Sequence, residues 1–375
     1  MQLYLHFPFC KSKCRYCDFN SYACHDKNEI IDYLARLDAE ILLAGKEYGG
    51  AKIDTIYFGG GTPSLLDEDL IFSTCEKLWQ NFDLSGVKEW TIECNPESLS
   101  RQKLEVYSRS GINRVSIGVQ SLFDDNLRAI GRLHDANGAI EAIKLAKEFF
   151  ENVSADLIIG LPFDTKERVK EQVETLAPLV EHLSMYELSV EKGTALEKLV
   201  KSGKIVLPND DETQELFDVA YDKACALGFD RYEVSNFAKG GKVSLHNLGY
   251  WQREEYIGFG AGAHSFLRTK EGKTPLEKPV RFANFCNLKE YAKAVQNATK
   301  YTDISRDFVE ILSEKDCKNE EIMLSLRTKY GVREELVQSI PQNLEKFFER
   351  GNGRICLTRE GMSVMNSVLV EILDG

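Results

Sequence analysis

Residues 3–22 read LYLHFPFCKSKCRYCDFNSY. An alternating apolar run at residues 2–7, QLYLHF, predicts a β-strand, and three cysteines follow it at Cys10, Cys14 and Cys17. The spacing C-x3-C-x2-C supplies three thiolates and no evident fourth. A structural zinc site closes with four ligands, in paired C-x2-C or Cys/His sets. Ferredoxin-type clusters also take four cysteines, in different runs. Three thiolates on a loop behind a first strand suit a [4Fe–4S] cube with one iron open to an exchangeable small molecule. Cys24 and His25, just beyond, are spare donors, and the other cysteines are scattered singly. With no export signal, these scattered thiols are expected to be reduced, small and buried.

Further runs with strand character occur at 52–58, 89–94, 114–119, 153–159 and 182–188. Amphipathic stretches such as NEIIDYLARLDAEILLAG (28–45) and DANGAIEAIKLAKEFF (135–150) lie between them. Alternation of this kind predicts a parallel sheet. Six units rather than eight suggest an open, partial barrel, with reactive residues at the C-terminal ends of its strands. The expected division is a barrel over 1–207, a β-containing extension over 208–286 and a mainly helical, winged-helix-like module over 287–375. The extension carries HNLGYW (246–251) and YIGFGAGAHSF (256–266).

Composition narrows the classes. The chain has 375 residues, 43% of them hydrophobic, so a large core is available. Lys and Arg number 47 against 59 Asp and Glu, a formal net charge of −12. That balance disfavours nucleic acid as a partner, which requires a basic face. No uninterrupted apolar stretch of about 18 residues predicts a membrane span. The opening residues lack the marks of a signal peptide. The expected compartment is cytoplasmic.

The cysteine run with Tyr16 before its last member, followed by FGGGTPS, ECNP, RVSIGVQS, DLIIGLP and LTREG, resembles the radical SAM superfamily. Within it, these motifs resemble the coproporphyrinogen-oxidase-like HemN/HemW branch over essentially the whole chain. The resemblance implies an α/β fold, a partial (β/α)6 barrel, and a [4Fe–4S] cluster on Cys10, Cys14 and Cys17 that binds S-adenosylmethionine (SAM). It further implies SAM contacts at Tyr4, Gly60, Gly61, Thr62, Glu93, Gln120, Arg132 and Asp156, with Ser189 and His264 near two others. Chemistry agrees: Arg132 can pair a carboxylate with two parallel bonds, Glu93 and Asp156 can accept from an ammonium or ribose hydroxyls, and the glycines can offer backbone N–H groups.

Two features select a sub-branch. The oxidases carry a cysteine two residues after the third of the cluster, where this chain has Phe19, and an extension ahead of the first strand, where Tyr4 is already the fourth residue. CDFNS instead resembles the HemW haem chaperones, as does HNLGYW, whose family pattern HNxxYW is tied to haem. The resemblance thus implies haem contacts at His246, Asn247, Tyr250 and Trp251, with His246 either ligating iron or lying beside it. The expected function is a haem chaperone passing haem to an acceptor protein, with an electron donor for the cluster. The alternative is an oxygen-independent coproporphyrinogen III oxidase. Sequence leaves open whether SAM is cleaved and whether the chain forms a homodimer.

Overall fold

The computed structural model describes residues 1–24, 26–270 and 274–373; His25 lies outside these residues. Six strands, β1 (Gln2–Phe7), β2 (Thr55–Gly60), β3 (Glu89–Cys94), β4 (Arg114–Gln120), β5 (Asn152–Ile159) and β6 (His182–Glu187), lie side by side in chain order, all parallel. Helices α1 (Lys27–Tyr48), α2 (Glu68–Asn81), α3 (Arg101–Arg109), α4 (Asp124–Ile130), α5 (Ala136–Lys147) and α6 (Lys166–Leu176) connect them. The period-2 pattern of the strands separates two environments. Leu3, Leu5, Ile56, Phe58, Ile92 and Ile117 are fully buried in the main core, each stabilising the fold by about 1.5–3 kcal/mol. The alternate positions, including Tyr57, Glu93, Ser116, Asp156 and Ser184, line a cavity instead. An apolar face packs on helices and a polar face encloses the site.

Helices begin where the sequence supplies caps. In α1, Asp26 accepts from the Asn28 amide, and Ile30, Tyr33, Leu34, Leu37 and Ile41 form one buried stripe. The acidic run at 209–212 forms a capping box between Asn209 and Glu212 ahead of helix Asp210–Ala226.

The sheet exceeds the six-strand expectation. Strand β7 (Asn236–Ala238) pairs antiparallel with β6. At the other side β8 (Tyr256–Phe259) adds to β1 as a further parallel strand, followed antiparallel by β9 (His264–Lys270), β10 (Thr274–Ala283) and β11 (Phe308–Ile311). The expected boundary at 287 therefore falls inside the main body. Helix Leu288–Gln296 puts Tyr291 and Val295 into the same core as the barrel. Fully buried Glu40 of α1 explains the attachment. It accepts from Gly260 N, Asn284 Nδ2 and Tyr291 Oη, each at 2.8 Å, and pairs with Arg306 at 3.2 Å.

A second core, built from Ile322, Leu326, Val332, Phe348, Ile355 and Val368, surrounds a three-stranded sheet and the last helices. Of the scattered thiols, Cys24, Cys75 and Cys94 are buried, whereas Cys225 and Cys286 are exposed, contrary to expectation. Both follow or end elements at the surface rather than within the apolar stripes. No helix among the described residues is long and apolar enough to cross a membrane.

Candidate functional site

Two cavities meet at the C-terminal ends of the barrel strands. The first, about 390 Å³, is walled by the cysteine loop and the polar strand face; the second, about 660 Å³, lies beside it. Phe19, Gly60 and Glu93 line both. Phe19 is 65% exposed, a large apolar ring left at the junction.

Cys10, Cys14 and Cys17 all line the first cavity. Among the described residues, no three His, Cys, Asp or Glu side chains gather tightly enough to hold a single metal ion. Thiols spread along one cavity wall suit a cluster in which each thiolate takes a different iron. Donors already face the sulfurs: Thr62 Oγ1 donates to Cys10 Sγ at 3.4 Å and Arg132 Nη1 to Cys14 Sγ at 3.4 Å. Burial pushes the Cys10 and Cys17 thiols above their ordinary range. A bound cation reverses that preference, because metal ligation takes the thiolate. The residues thus fit an iron–sulfur cluster.

The remaining SAM candidates divide. Gly60, Gly61, Thr62, Gln120, Arg132 and Asp156 line the first cavity with Glu93. Ser189 lies on its rim, exposed, and donates to Glu191 at 2.5 Å. Tyr4 and His264 do not reach it; they line the second cavity. The Tyr4 hydroxyl is bound to His6 Nδ1 at 2.9 Å, which turns it from the cysteines.

Two expected roles change in detail. The glycine run does not offer free N–H groups. Gly60 N donates to Glu93 Oε2 at 3.1 Å, and Gly61 N and Thr62 N donate to the Phe7 and Phe9 carbonyls, each at 2.8 Å. Its glycines are required for packing: a Cβ on Gly61 would lie 2.8 Å from those same carbonyls, and Gly60 holds φ at +113°. Nor is the Arg132 fork free, since Nη2 donates to Asn95 Oδ1 at 2.7 Å and Gly118 O at 2.8 Å. Its Nε is buried without a partner.

Glu93 is the electrostatic centre. Burial pushes its carboxyl up to about 7, although Tyr57 Oη donates to it at 2.8 Å. Burial also raises Asp156, which accepts from Ser116 Oγ at 3.1 Å. Gln120 closes β4 with φ at +64°, a strained conformation for a residue with a side chain. Arg114, unremarked in the sequence, lies 2% exposed on the cavity wall with its Nε unpartnered. The available signal was a lone cation heading an apolar strand, which ordinarily means a solvated end.

The HNLGYW stretch forms helix Leu245–Trp251 against the starts of β1, β2 and β3. Glu89 of β3 accepts from the Leu245 and His246 amides at 2.8 and 3.0 Å, a carboxylate at a helix N-terminus. His246 is fully buried, stacked on Tyr57 at 5.1 Å, and lines neither cavity. Its Nδ1 is bound to Thr55 Oγ1 at 2.8 Å and its Nε2 to Tyr250 Oη at 2.9 Å. Burial holds the ring neutral, its pKa down at about 3. The structure therefore does not bring His246 to a ligand, because both ring nitrogens are engaged within the protein. Asn247 lines the first cavity; Tyr250 and Trp251 line the second.

Residues 4–176 match the family model "Radical SAM superfamily". The heme chaperone HemW of Bacillus subtilis is 34% identical over 383 residues, covering 97% of each chain. HemW of Lactococcus lactis is 32% identical over 389 residues, covering 99% of this chain and 96% of that one. Among solved structures, coproporphyrinogen III oxidase (HemN) from Escherichia coli superposes with a TM-score of 0.80 at 21% identity, over 98% of this chain and 89% of that one. At that identity the likeness establishes the fold. Identity over nearly the full length of curated relatives, with three thiols brought to one barrel mouth, places this chain in the HemN/HemW branch of the radical SAM superfamily.

Proposed function

We propose that the protein is a HemW-like haem carrier that holds a [4Fe–4S] cluster and SAM in the first cavity and haem in the second. The observation carrying this reading is the pair of adjoining cavities with different linings. One gathers Cys10, Cys14, Cys17 and buried carboxylates; the other is walled largely by aromatic and aliphatic side chains.

The cluster would take Cys10, Cys14 and Cys17, with Thr62 and Arg132 donating to two of the sulfurs. When bound, such a cluster would supply one-electron reducing chemistry at the SAM sulfonium. Glu93 and Asp156 would accept from the ammonium or ribose hydroxyls, beside Gly60, whose missing Cβ leaves room for the His6 ring. Tyr16 and Phe19 add aromatic surface to the wall beside the cysteine loop. Haem is cargo, received on aromatic surface and passed to an acceptor protein.

Anaerobic reconstitution tests the reading in one preparation: iron and sulfide content, SAM binding and saturable haemin uptake, with coproporphyrinogen supplied in parallel. Cluster formation, saturable haemin uptake and no decarboxylated product are expected. Sustained conversion of coproporphyrinogen would replace the carrier with the oxidase.

A further inference from the structure

Four of the five described histidines have both ring nitrogens bound within the protein. His6 meets Tyr4 Oη and the Asn20 carbonyl, His134 meets Glu97 and the Val119 carbonyl, His182 meets Ser154 and Tyr232, and His246 meets Thr55 and Tyr250. His264 differs. It opens β9, is exposed, and among the described residues its imidazole has no hydrogen-bond partner. It lines the second cavity with Tyr250, Trp251, Tyr256 and Phe266, and helix Glu314–Ser325 adds Met323.

The same wall holds two cations. Arg253 Nη2 pairs with Glu320 at 3.0 Å and Arg281 Nη1 with the other oxygen of that carboxylate at 2.6 Å; Arg281 also meets Glu310 at 3.5 Å. Both guanidiniums lie over the Phe266 ring, at 5.2 and 5.7 Å from its centroid. Each guanidinium carries five N–H donors, so neither is exhausted by these bonds. Partial desolvation in the cavity wall and the charge of Arg281 shift the His264 pKa downward, towards the neutral ring that metal ligation takes. Flat aromatic walls, an unpartnered imidazole, a thioether and guanidiniums form a complementary set for an iron porphyrin with carboxylate side chains.

We infer that the second cavity binds haem through His264 as the iron ligand, with Arg253 and Arg281 meeting its propionates and His246 acting as a positioning residue. This inference rests on the haem-carrying reading above and deepens it. His246 fixes the Tyr250 ring that forms part of the wall, without facing the iron itself.

The test is a ferric haemin titration of the full-length, anaerobically reconstituted protein, read by Soret absorbance and EPR. Wild type should show an imidazole-ligated spectrum. His264→Ala and His264→Gln should lose that signature and bind at least about tenfold more weakly, a change of ~1.4 kcal/mol. Added imidazole should restore the signature, while His246→Ala, which releases the Tyr250 ring from its hydrogen bond, should weaken haemin uptake with the imidazole signature intact. Haemin dimethyl ester should bind wild type and Arg281→Gln alike, whereas free haemin should favour wild type. If both His264 variants keep the wild-type spectrum and affinity, the assignment is overturned and haem carriage stands. If wild type shows no saturable uptake, both are overturned.

Discussion

The two cavities share a wall but are assembled by different rules. The first draws on the ends of consecutive parallel strands and one loop, so its groups recur at fixed offsets along the chain. The second draws on β1, the helix carrying HNLGYW, the parallel strand β8, the two antiparallel strands β9 and β10, and a helix of the C-terminal module. Polar groups in the first are largely bound to one another. The second leaves an imidazole free. A site made of strand ends is defined by its sequence motifs, whereas a site made where distant elements converge is defined by which groups remain unpartnered.

The largest expected effect belongs to the first cavity. Replacing Cys10, Cys14 and Cys17 together by alanine should abolish the iron–sulfur absorption and EPR signals completely. The chain should still fold, because none of the three thiols is fully buried in the core. Haemin uptake should persist if the cavities act separately. Loss of haemin uptake in a folded triple variant would show that the shared wall of Phe19, Gly60 and Glu93 couples them.

Next in size is His246→Ala. Removing the ring strands the Thr55 hydroxyl and the Tyr250 hydroxyl beneath the second cavity. Two stranded buried groups and a void should cost about 2–5 kcal/mol, read as a fall in the denaturant midpoint with unchanged slope. A loss below about 0.5 kcal/mol would mean that the ring is not an anchor.

Much of the first cavity was legible, and the reasons are physical. Each of the six parallel strands carries an apolar alternate that only a helix-covered sheet can bury, and the cysteine spacing needs no tertiary information. The role of His246 was not legible. A histidine beside Tyr and Trp looks like a ligand, and only the fold shows that Thr55 and Tyr250 occupy its nitrogens. Strand β8 was concealed by Gly258 within it and by Gly260 and Gly262 just after it. A Cβ on Gly258 would come within 2.1 Å of the His264 carbonyl, so the residue marks a tight strand return rather than a loop. Arg114 was hidden because a cation heading a strand usually meets water.

Glu93, common to both cavities, gives a smaller effect that titrates. Its folded-state pKa of about 7 exceeds the ordinary glutamate value of about 4.3. Between those values the folded chain keeps a proton that the unfolded chain has released. Stability therefore declines as pH rises through that window, by at most about 1.4 kcal/mol per pH unit for this one group. Above it the contribution is flat. Glu233, also raised to about 7, titrates in the same sense, so the measurement must be a difference. The stability of Glu93→Gln minus that of wild type should grow from near zero in acid to a plateau in mild alkali. A difference independent of pH would place the Glu93 carboxyl in a wetter setting than the cavity walls provide.

The smallest effect completes the contrast between the histidines. His264→Ala removes an exposed ring with no partner among the described residues, so folding stability should change by no more than about 0.5 kcal/mol. Chemical denaturation of the apo chain, run beside His246→Ala, gives the comparison directly. A large loss for His264→Ala would mean that the imidazole is tied into the fold. It would then be no more available to a metal than the ring of His246. An unchanged midpoint leaves His264 as a group the fold does not use, on the wall of an aromatic cavity that also carries Arg253 and Arg281.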